Sequence, residues 1–387
     1  MRILTFAAGY PPFLSGGPAV HTHELNLGLA RLGHEPWVVA FHPPEGPTET
    51  ELATEDGVHV CRVQNLPFLP HDYTARFHQQ NGRALEGVLR VLEAADGAFD
   101  LIVLQGYWLA TAAMALHATT GVPVVFHVHN MYSAPVPGQE PQEAAYFRAL
   151  ESWAIRESAW LIPISEFIAG MCLEMGADRS RMSVIPKGLH LDHYAGDWIP
   201  HDNQTLLFVG RLSPEKGLET LLQAVASLRD AGVPVRALLA GAGDEPYVVG
   251  LQKLVAELDL RRHVAFLGFI GGHDLIRLYQ TSTVTVIPSY MEALGRVALE
   301  AMASGAPVIV SDVGGLGPLV RQGETGWKVP DHDPAALAAA IREVFDDRDR
   351  AASIATTARQ EVAGRFSWDR VLADTMGVYE LAGRGRG

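Results

Sequence analysis

Short apolar runs rich in Val, Ile and Leu recur along the chain, separated by stretches in which apolar residues return every three or four positions. The runs Arg2–Ala8, Pro36–Phe41, Asp100–Leu104, Val122–His127 and Trp160–Pro163 show little polar alternation, so each reads as a strand buried on both faces. Strands of that kind alternating with helical periodicity predict parallel α/β layers. The helix after the first strand places Leu25, Leu29 and Leu32 on one face and is predicted to stop at Gly33.

The pattern breaks in the polar, turn-rich stretch from Tyr194 to Gln204 and starts afresh with a strand at Thr205–Gly210. Further strands follow at Val235–Ala240, Val264–Gly268, Val284–Pro288 and Pro307–Ser311. A chain of 387 residues exceeds what one core of roughly 100–200 residues supports. Two doubly wound parallel-sheet domains are therefore expected, 1–193 and 194–366, with a cleft between them open to a ligand.

Composition narrows the picture. Apolar residues make up 48% and charged residues 19%, the balance of a globular protein rather than a disordered one. The first apolar run meets Gly9 and Pro11 too soon for a signal peptide or membrane span. Cys61 and Cys172 lie far apart and match no metal spacing, so both are expected as reduced, buried small hydrophobes in a cytoplasmic protein. Net charge of −14 argues against nucleic acid or an anionic bilayer as partner and suits a neutral or cationic small molecule. Between Asp72 and Asp96, Arg76, Arg83 and Arg90 share a helical face; the interleaved Glu86 and Glu93 make it a solvated face rather than a docking surface.

In open α/β sheets ligands bind beyond the carboxyl ends of the strands. After the first strand, Ser15-Gly16-Gly17-Pro18 leads into a helix whose first amides can approach a phosphate. In the second half, Gly210-Arg211 and Lys216-Gly217 lie between a strand and a helix striped by Leu218, Leu221, Leu222, Val225 and Leu228. Two cations five residues apart there can bracket a diphosphate, Arg211 through its fork and Lys216 as a point charge. A third loop carries Glu292 ahead of a helix starting near Gly295 and Glu300 inside it, so the carboxylates can serve different parts of one ligand while the amides near Leu294 and Gly295 meet negative charge.

The Glu292 and Glu300 pair, with seven residues between them and followed by Ala301-Met302-Ala303-Ser304-Gly305, resembles the signature of family-4 retaining glycosyltransferases with the GT-B fold. Gly16-Gly17, His129-Asn130, Ser165-Glu166, Lys187-Gly188, Arg211 to Lys216, Gly241-Ala242-Gly243 and Gly323 to Gly326 follow in that family's order, so the resemblance covers essentially the whole chain. It implies an α/β GT-B architecture of two Rossmann-like domains, with a terminal helix from about 367 to 387 crossing back to the first. It implies that Arg211 and Lys216 hold the diphosphate of a nucleotide sugar, Glu300 the ribose, and Glu292, with Ala293, Leu294 and Gly295 beside it, the donor sugar. Gly16 and Gly17 would add amides to the phosphates, Gly241, Gly243 and Phe269 would flank the base, and His129 would meet the sugar near its reacting carbon. Asn130, Tyr132 and His190 are the acceptor-side candidates, the acceptor being a small polar molecule.

Such enzymes react on the front face of the sugar without a protein nucleophile. Arg211 and Lys216 would supply the charge that a metal gives elsewhere, so neither cofactor nor metal is expected. Departures from the family pattern are Ala293 for Gly, Leu294 for Phe, Lys187 for Asn, His190 for Asp, and Gly317 where Glu is frequent. A narrower resemblance, carried by Gly9-Tyr10-Pro11-Pro12 and Gly16 to Glu24, is to 2-deoxystreptamine glucosyltransferases of aminoglycoside pathways. Rival readings are an inverting transferase with His21 or His23 as base, a nucleotide-sugar epimerase, and a non-catalytic sensor. A dinucleotide dehydrogenase is disfavoured because Gly210 opens no G-x-G-x-x-G run.

Overall fold

The computed structural model describes residues 1–13, 16–43, 45–65, 73–131, 144–200 and 204–384. The chain divides into two compact units, Met1–Gly188 together with Asp369–Gly387, and Leu189–Trp368.

In the first unit, strands β1 (Arg2–Ala7), β2 (Glu35–Phe41), β3 (Glu51–Glu55), β4 (Val58–Val63), β5 (Leu101–Gln105), β6 (Val124–Val128) and β7 (Trp160–Pro163) form a sheet ordered β3-β4-β2-β1-β5-β6-β7. Helices α1 (Gly16–Arg31), α2 (Tyr73–Ala94), α3 (Ala110–Thr120), α4 (Ala144–Glu157) and α5 (Glu166–Glu174) connect the strands. Winding runs outward from β1 and then restarts on its other side at β5, with Leu4 opposite both Trp37 and Ile102. A crevice at the carboxyl ends of β1 and β5 follows from that reversal.

Two features of this sheet differ from the sequence expectation. β3 and β4 form an antiparallel hairpin at one edge, so the sheet is not wholly parallel. Arg62 interrupts the apolar run of β4, and its strand character is hidden until one sees the charge satisfied: Glu55 and the Pro11 carbonyl hold a guanidinium only 5% exposed. Leu32, expected on the buried stripe with Leu25 and Leu29, is 55% exposed. The helix ends at Arg31, and Gly33, at φ 81°, turns the chain toward β2 before another helical residue can face the core.

The second unit has strands β8 (Thr205–Val209), β9 (Arg236–Ala240), β10 (Val264–Gly268), β11 (Val284–Ile287), β12 (Val308–Ser311) and β13 (Trp327–Val329), ordered β10-β9-β8-β11-β12-β13 and parallel throughout. That is the Rossmann order, with its switch point between β8 and β11. Helices α6 (Leu218–Asp230), α7 (Glu245–Glu257), α8 (Gly272–Thr281), α9 (Arg296–Ala303), α10 (Leu316–Leu319), α11 (Pro334–Asp346) and α12 (Arg348–Arg365) belong to this unit. The predicted α6 stripe is at most 3% exposed and packs with Leu206, Phe208, Leu239 and Ile341. β13, only three residues long, leaves too short a run to be read as a strand from sequence.

Helix α13 (Trp368–Gly383) ends the described chain, and from Asp369 onward it counts with the first unit. Leu372 fills the space left by Gly28, where a Cβ would lie 2.7 Å from its Cδ2, and the Tyr379 hydroxyl is hydrogen-bonded to His127 Nε2 at 2.8 Å. Both cysteines are free and buried. On α2, Arg83 pairs with Glu86 and Arg90 with Glu93 on the solvated face expected from the sequence, but Arg76 departs from it: half-buried, its guanidinium lies over the Trp108 ring at 5.6 Å. No helix among the described residues is long and apolar enough to cross a membrane.

Burial pushes the His127 imidazole down to about 3 from an ordinary 6.5. The unfolded chain takes up this proton near pH 6.5 and the folded chain only near 3, so folding stability falls as pH drops through that window. Each such group contributes a slope of about 1.4 kcal/mol per pH unit. Replacing His127 by Gln should therefore flatten the acid side of the stability curve by about that slope, read from urea melts at a series of pH values. An unchanged slope would show that the histidine is not held neutral.

Candidate active site

The crevice of the first unit is built by the ends of β1, β5 and β6. A pocket of about 190 Å³ is lined by Thr22, Gln105, Tyr107, Trp108, His129 and Asn130, among others. Gly106, at φ 83°, turns the chain out of β5 so that Tyr107 and Trp108 follow at once, and Trp108 is stacked on Phe147. His129 is 2% exposed, and its Nε2 is hydrogen-bonded to Gln105 Oε1 at 2.7 Å. Burial, followed by the Lys187 ammonium and the His21 and His127 rings, keeps this imidazole well below its usual pKa. The imidazole is thus held neutral, able to share hydrogen bonds with hydroxyls but holding no proton to give as a strong acid.

Gly17 lies in the first turn of α1, where a Cβ would lie 3.3 Å from Lys187 Nζ. Lys187 is 9% exposed, so the residue that departs from the family's usual Asn brings a largely buried ammonium to the start of α1. Sequence reasoning flagged the departure without foreseeing this meeting, because Gly17 and Lys187 are 170 positions apart. It also missed Gln105, whose contact with His129 depends on the β5–β6 pairing. The rival base candidates are placed differently: the His21 ring packs on His129 with centroids 5.2 Å apart, and the His23 ring lies edge-on to Tyr10. Asn130 is exposed at the pocket, Tyr132 and Ser15 lie outside the described residues, and His190 belongs to the second unit, tilted against Trp368 at 5.9 Å.

In the second unit the switch-point loops converge. Beyond β8, the turn Pro214–Lys216 leads into Gly217 at φ 67°, where a Cβ would fall 1.9 Å from the Pro288 carbonyl oxygen. Only glycine permits that approach of the β8 and β11 loops. Lys216 Nζ then lies 2.5 Å from Glu292 Oε1, which also accepts from Ser289 Oγ at 3.2 Å. Arg211 is largely exposed and pairs with Glu215 at 3.0 Å, and the Glu215 carbonyl receives the Tyr290 amide. The β8 and β9 loops stack in the same way: a Cβ on Gly241 would meet the Gly210 oxygen at 1.8 Å, and one on Gly243 the Leu212 oxygen at 2.0 Å. Phe269 follows on the β10 side with 83% of its surface exposed.

Glu292 and Glu300 diverge in environment. Gly295, at φ 90°, starts α9, and Leu294 turns into the interior with 7% exposure. The Gly315 amide donates to the Glu292 carbonyl at 2.7 Å, and a Cβ there would lie 2.4 Å from the Ala293 oxygen, so the loop after β12 buttresses the carboxylate loop. Glu300 is 9% exposed and accepts from Tyr279 and Arg296. The structure therefore brings Lys216 to Glu292, Gly241 and Gly243 to the Arg211 loop, and holds Glu300 separately.

Residues 16–188 match the glycosyl transferase 4-like domain and residues 197–361 the glycosyl transferases group 1. A glycogen synthase of Mycobacterium tuberculosis is 31% identical, over 100% of this chain and 96% of that protein. The chain belongs to the family-4 glycosyltransferases of the GT-B fold. A D-inositol 3-phosphate glycosyltransferase of Streptomyces avermitilis is 34% identical over 90% of this glycosyltransferase and 75% of its own length. Among solved structures, sucrose-phosphate synthase of Thermosynechococcus elongatus shares the fold with a TM-score of 0.85 at 24% identity, over 98% of each chain.

Gly217 in this glycosyltransferase is a direct test of the loop geometry. Gly217→Ala combines a left-handed backbone with a backbone collision, so the β8 and β11 loops must part. The variant should lose on the order of 1–3 kcal/mol of stability, read from chemical melts, together with affinity for a nucleoside diphosphate. Wild-type values for both would show that the loops do not need this contact.

Proposed function

We propose that the chain is a retaining hexosyltransferase that needs no metal and moves a hexosyl unit from a UDP-sugar to a hydroxyl of a small polyhydroxylated acceptor. The observation that carries this reading is the Lys216–Glu292 contact at the switch point of the second unit, which puts a fixed cation and a fixed carboxylate on neighbouring loops. Arg211 and Lys216 are assigned to the diphosphate, Glu292 to sugar hydroxyls, Glu300 to the ribose, and Gly241, Gly243 and Phe269 to the base. A neighbour of known structure, HepE of Anabaena, is described in complex with UDP and glucose, which makes UDP-glucose the first donor to try, ahead of UDP-N-acetylglucosamine.

In the first unit, neutral His129 is assigned to a hydroxyl of the transferred sugar, with the Gly16 and Gly17 amides and Lys187 beside the phosphates. The pocket of Thr22, Gln105, Tyr107, Trp108 and Asn130 is assigned to the acceptor: aromatic faces for a ring and amide groups for its hydroxyls. Cyclitols fit this chemistry. An inositol phosphate is suggested by the name of the Streptomyces relative, and 2-deoxystreptamine by the acidic balance of the chain and the glycine-rich start of α1.

The reaction balances without a protein nucleophile. The bond from the sugar's anomeric carbon to the diphosphate oxygen breaks, the acceptor oxygen bonds to the same face of that carbon, and the acceptor's proton passes to the departing diphosphate. Positive charge grows on the sugar ring and negative charge on the leaving group, where Arg211 and Lys216 stabilise it more than in the ground state.

Proton NMR of the product from UDP-glucose and a panel of cyclitols, with chelator present, tests the reading. An α-linked product is expected. A β-linked product would move the chemistry to a histidine base, and isomerised donor without transfer would favour an epimerase. Glu292→Gln and Lys216→Ala should each cost on the order of 10²–10³ in kcat, and His129→Ala should lower kcat more than donor affinity. Wild-type turnover in all three would remove the site assignment.

A further inference from the structure

Glu300, on α9, is held by more partners than a carboxylate awaiting a ligand needs. Tyr279, on α8, donates through its hydroxyl to Oε2 at 3.1 Å, and Arg296, one turn earlier on α9, donates through Nε to Oε1 at 2.7 Å. The hydroxyl of Tyr194 is within hydrogen-bonding reach of both Arg296 and Glu300. Tyr194 ends the short turn Leu191–Tyr194, which packs on α8 and α9. Tyr279 has no exposed surface, so it cannot meet a ligand itself and can act only through Glu300.

A carboxylate offers about four lone-pair positions. Tyr279 and Arg296 fix one donor on each oxygen and set the plane of the group; with the Tyr194 hydroxyl as a third, one position is left for a further hydroxyl. We propose that Tyr279 and Arg296 are positioning residues: they fix the Glu300 carboxylate in a single orientation, so that its open position accepts a hydroxyl of the donor's ribose. The inference rests on the donor assignment made above.

The phenol is suited to that task. Burial, reinforced by the Glu300 charge, pushes Tyr279 far above the usual phenol range, so it stays a proton donor. Burial likewise pushes Tyr194 up to about 12. Arg296 contributes a second donor whose direction is set by the helix, because Arg296 and Glu300 are four residues apart on α9.

The test is calorimetric binding of UDP, 2′-deoxy-UDP and 3′-deoxy-UDP to the full chain, with KM and kcat for UDP-glucose measured beside it. Wild type should prefer UDP over at least one deoxy analogue. Tyr279→Phe keeps the ring and removes the hydroxyl; it should bind UDP on the order of tenfold more weakly, lose the preference for the ribose hydroxyl, and show its loss in KM rather than kcat. Arg296→Lys keeps the charge without the Nε donor and should change the preference in the same direction, which covers the case of a Phe variant that fails to fold. A purely structural role would lower the melting temperature and leave the ribose preference intact, and that result overturns the inference alone. If wild type binds no UDP, the donor assignment falls and this inference falls with it.

Discussion

The Lys216–Glu292 contact depends on two loops leaving the sheet on either side of its switch point and meeting closely enough to join an ammonium to a carboxylate at 2.5 Å. Both side chains are about four-fifths buried, so the pair is only weakly screened by solvent. Ser289 also donates to the same oxygen, which restrains the Glu292 carboxylate further. The pair thus ties the loops after β8 and β11 to one another.

Glycines make that meeting possible in a way that no ion pair could by itself. At Gly217, Gly241 and Gly243 the missing Cβ atoms are replaced by carbonyl oxygens of the neighbouring loop, each within 2.0 Å of where a methyl group would stand. The loops after β8, β9, β10 and β11 are consequently packed backbone to backbone, with amides rather than side chains forming the floor.

Most of this was legible in the sequence because its signals are local. Buried parallel strands announce themselves as continuous apolar runs, and a loop between such a run and an amphipathic helix must lie at the carboxyl edge, so Arg211, Lys216, Glu292 and Glu300 could be placed before any coordinates. The signals failed where a residue's role depends on a distant partner. Arg62 is held by Glu55 and the Pro11 carbonyl, partners that no local pattern points to. Tyr279 on α8 and Gln105 at the end of β5 likewise meet Glu300 and His129 only through tertiary packing. Leu32 failed for the opposite reason: helical spacing was extended past the point where Gly33 ends it.

The two glutamates of the signature show why spacing identifies a site without dividing its labour. Seven residues separate Glu292 from Glu300, and Gly295 between them changes the chain from loop to helix. Glu292 is therefore carried by a loop that a neighbouring cation and the Gly315 amide hold in place, whereas Glu300 is carried by a helix and boxed in by phenol and guanidinium. An ion pair between loops sets the first carboxylate and buried donors set the second, so their surroundings differ although one motif contains them both.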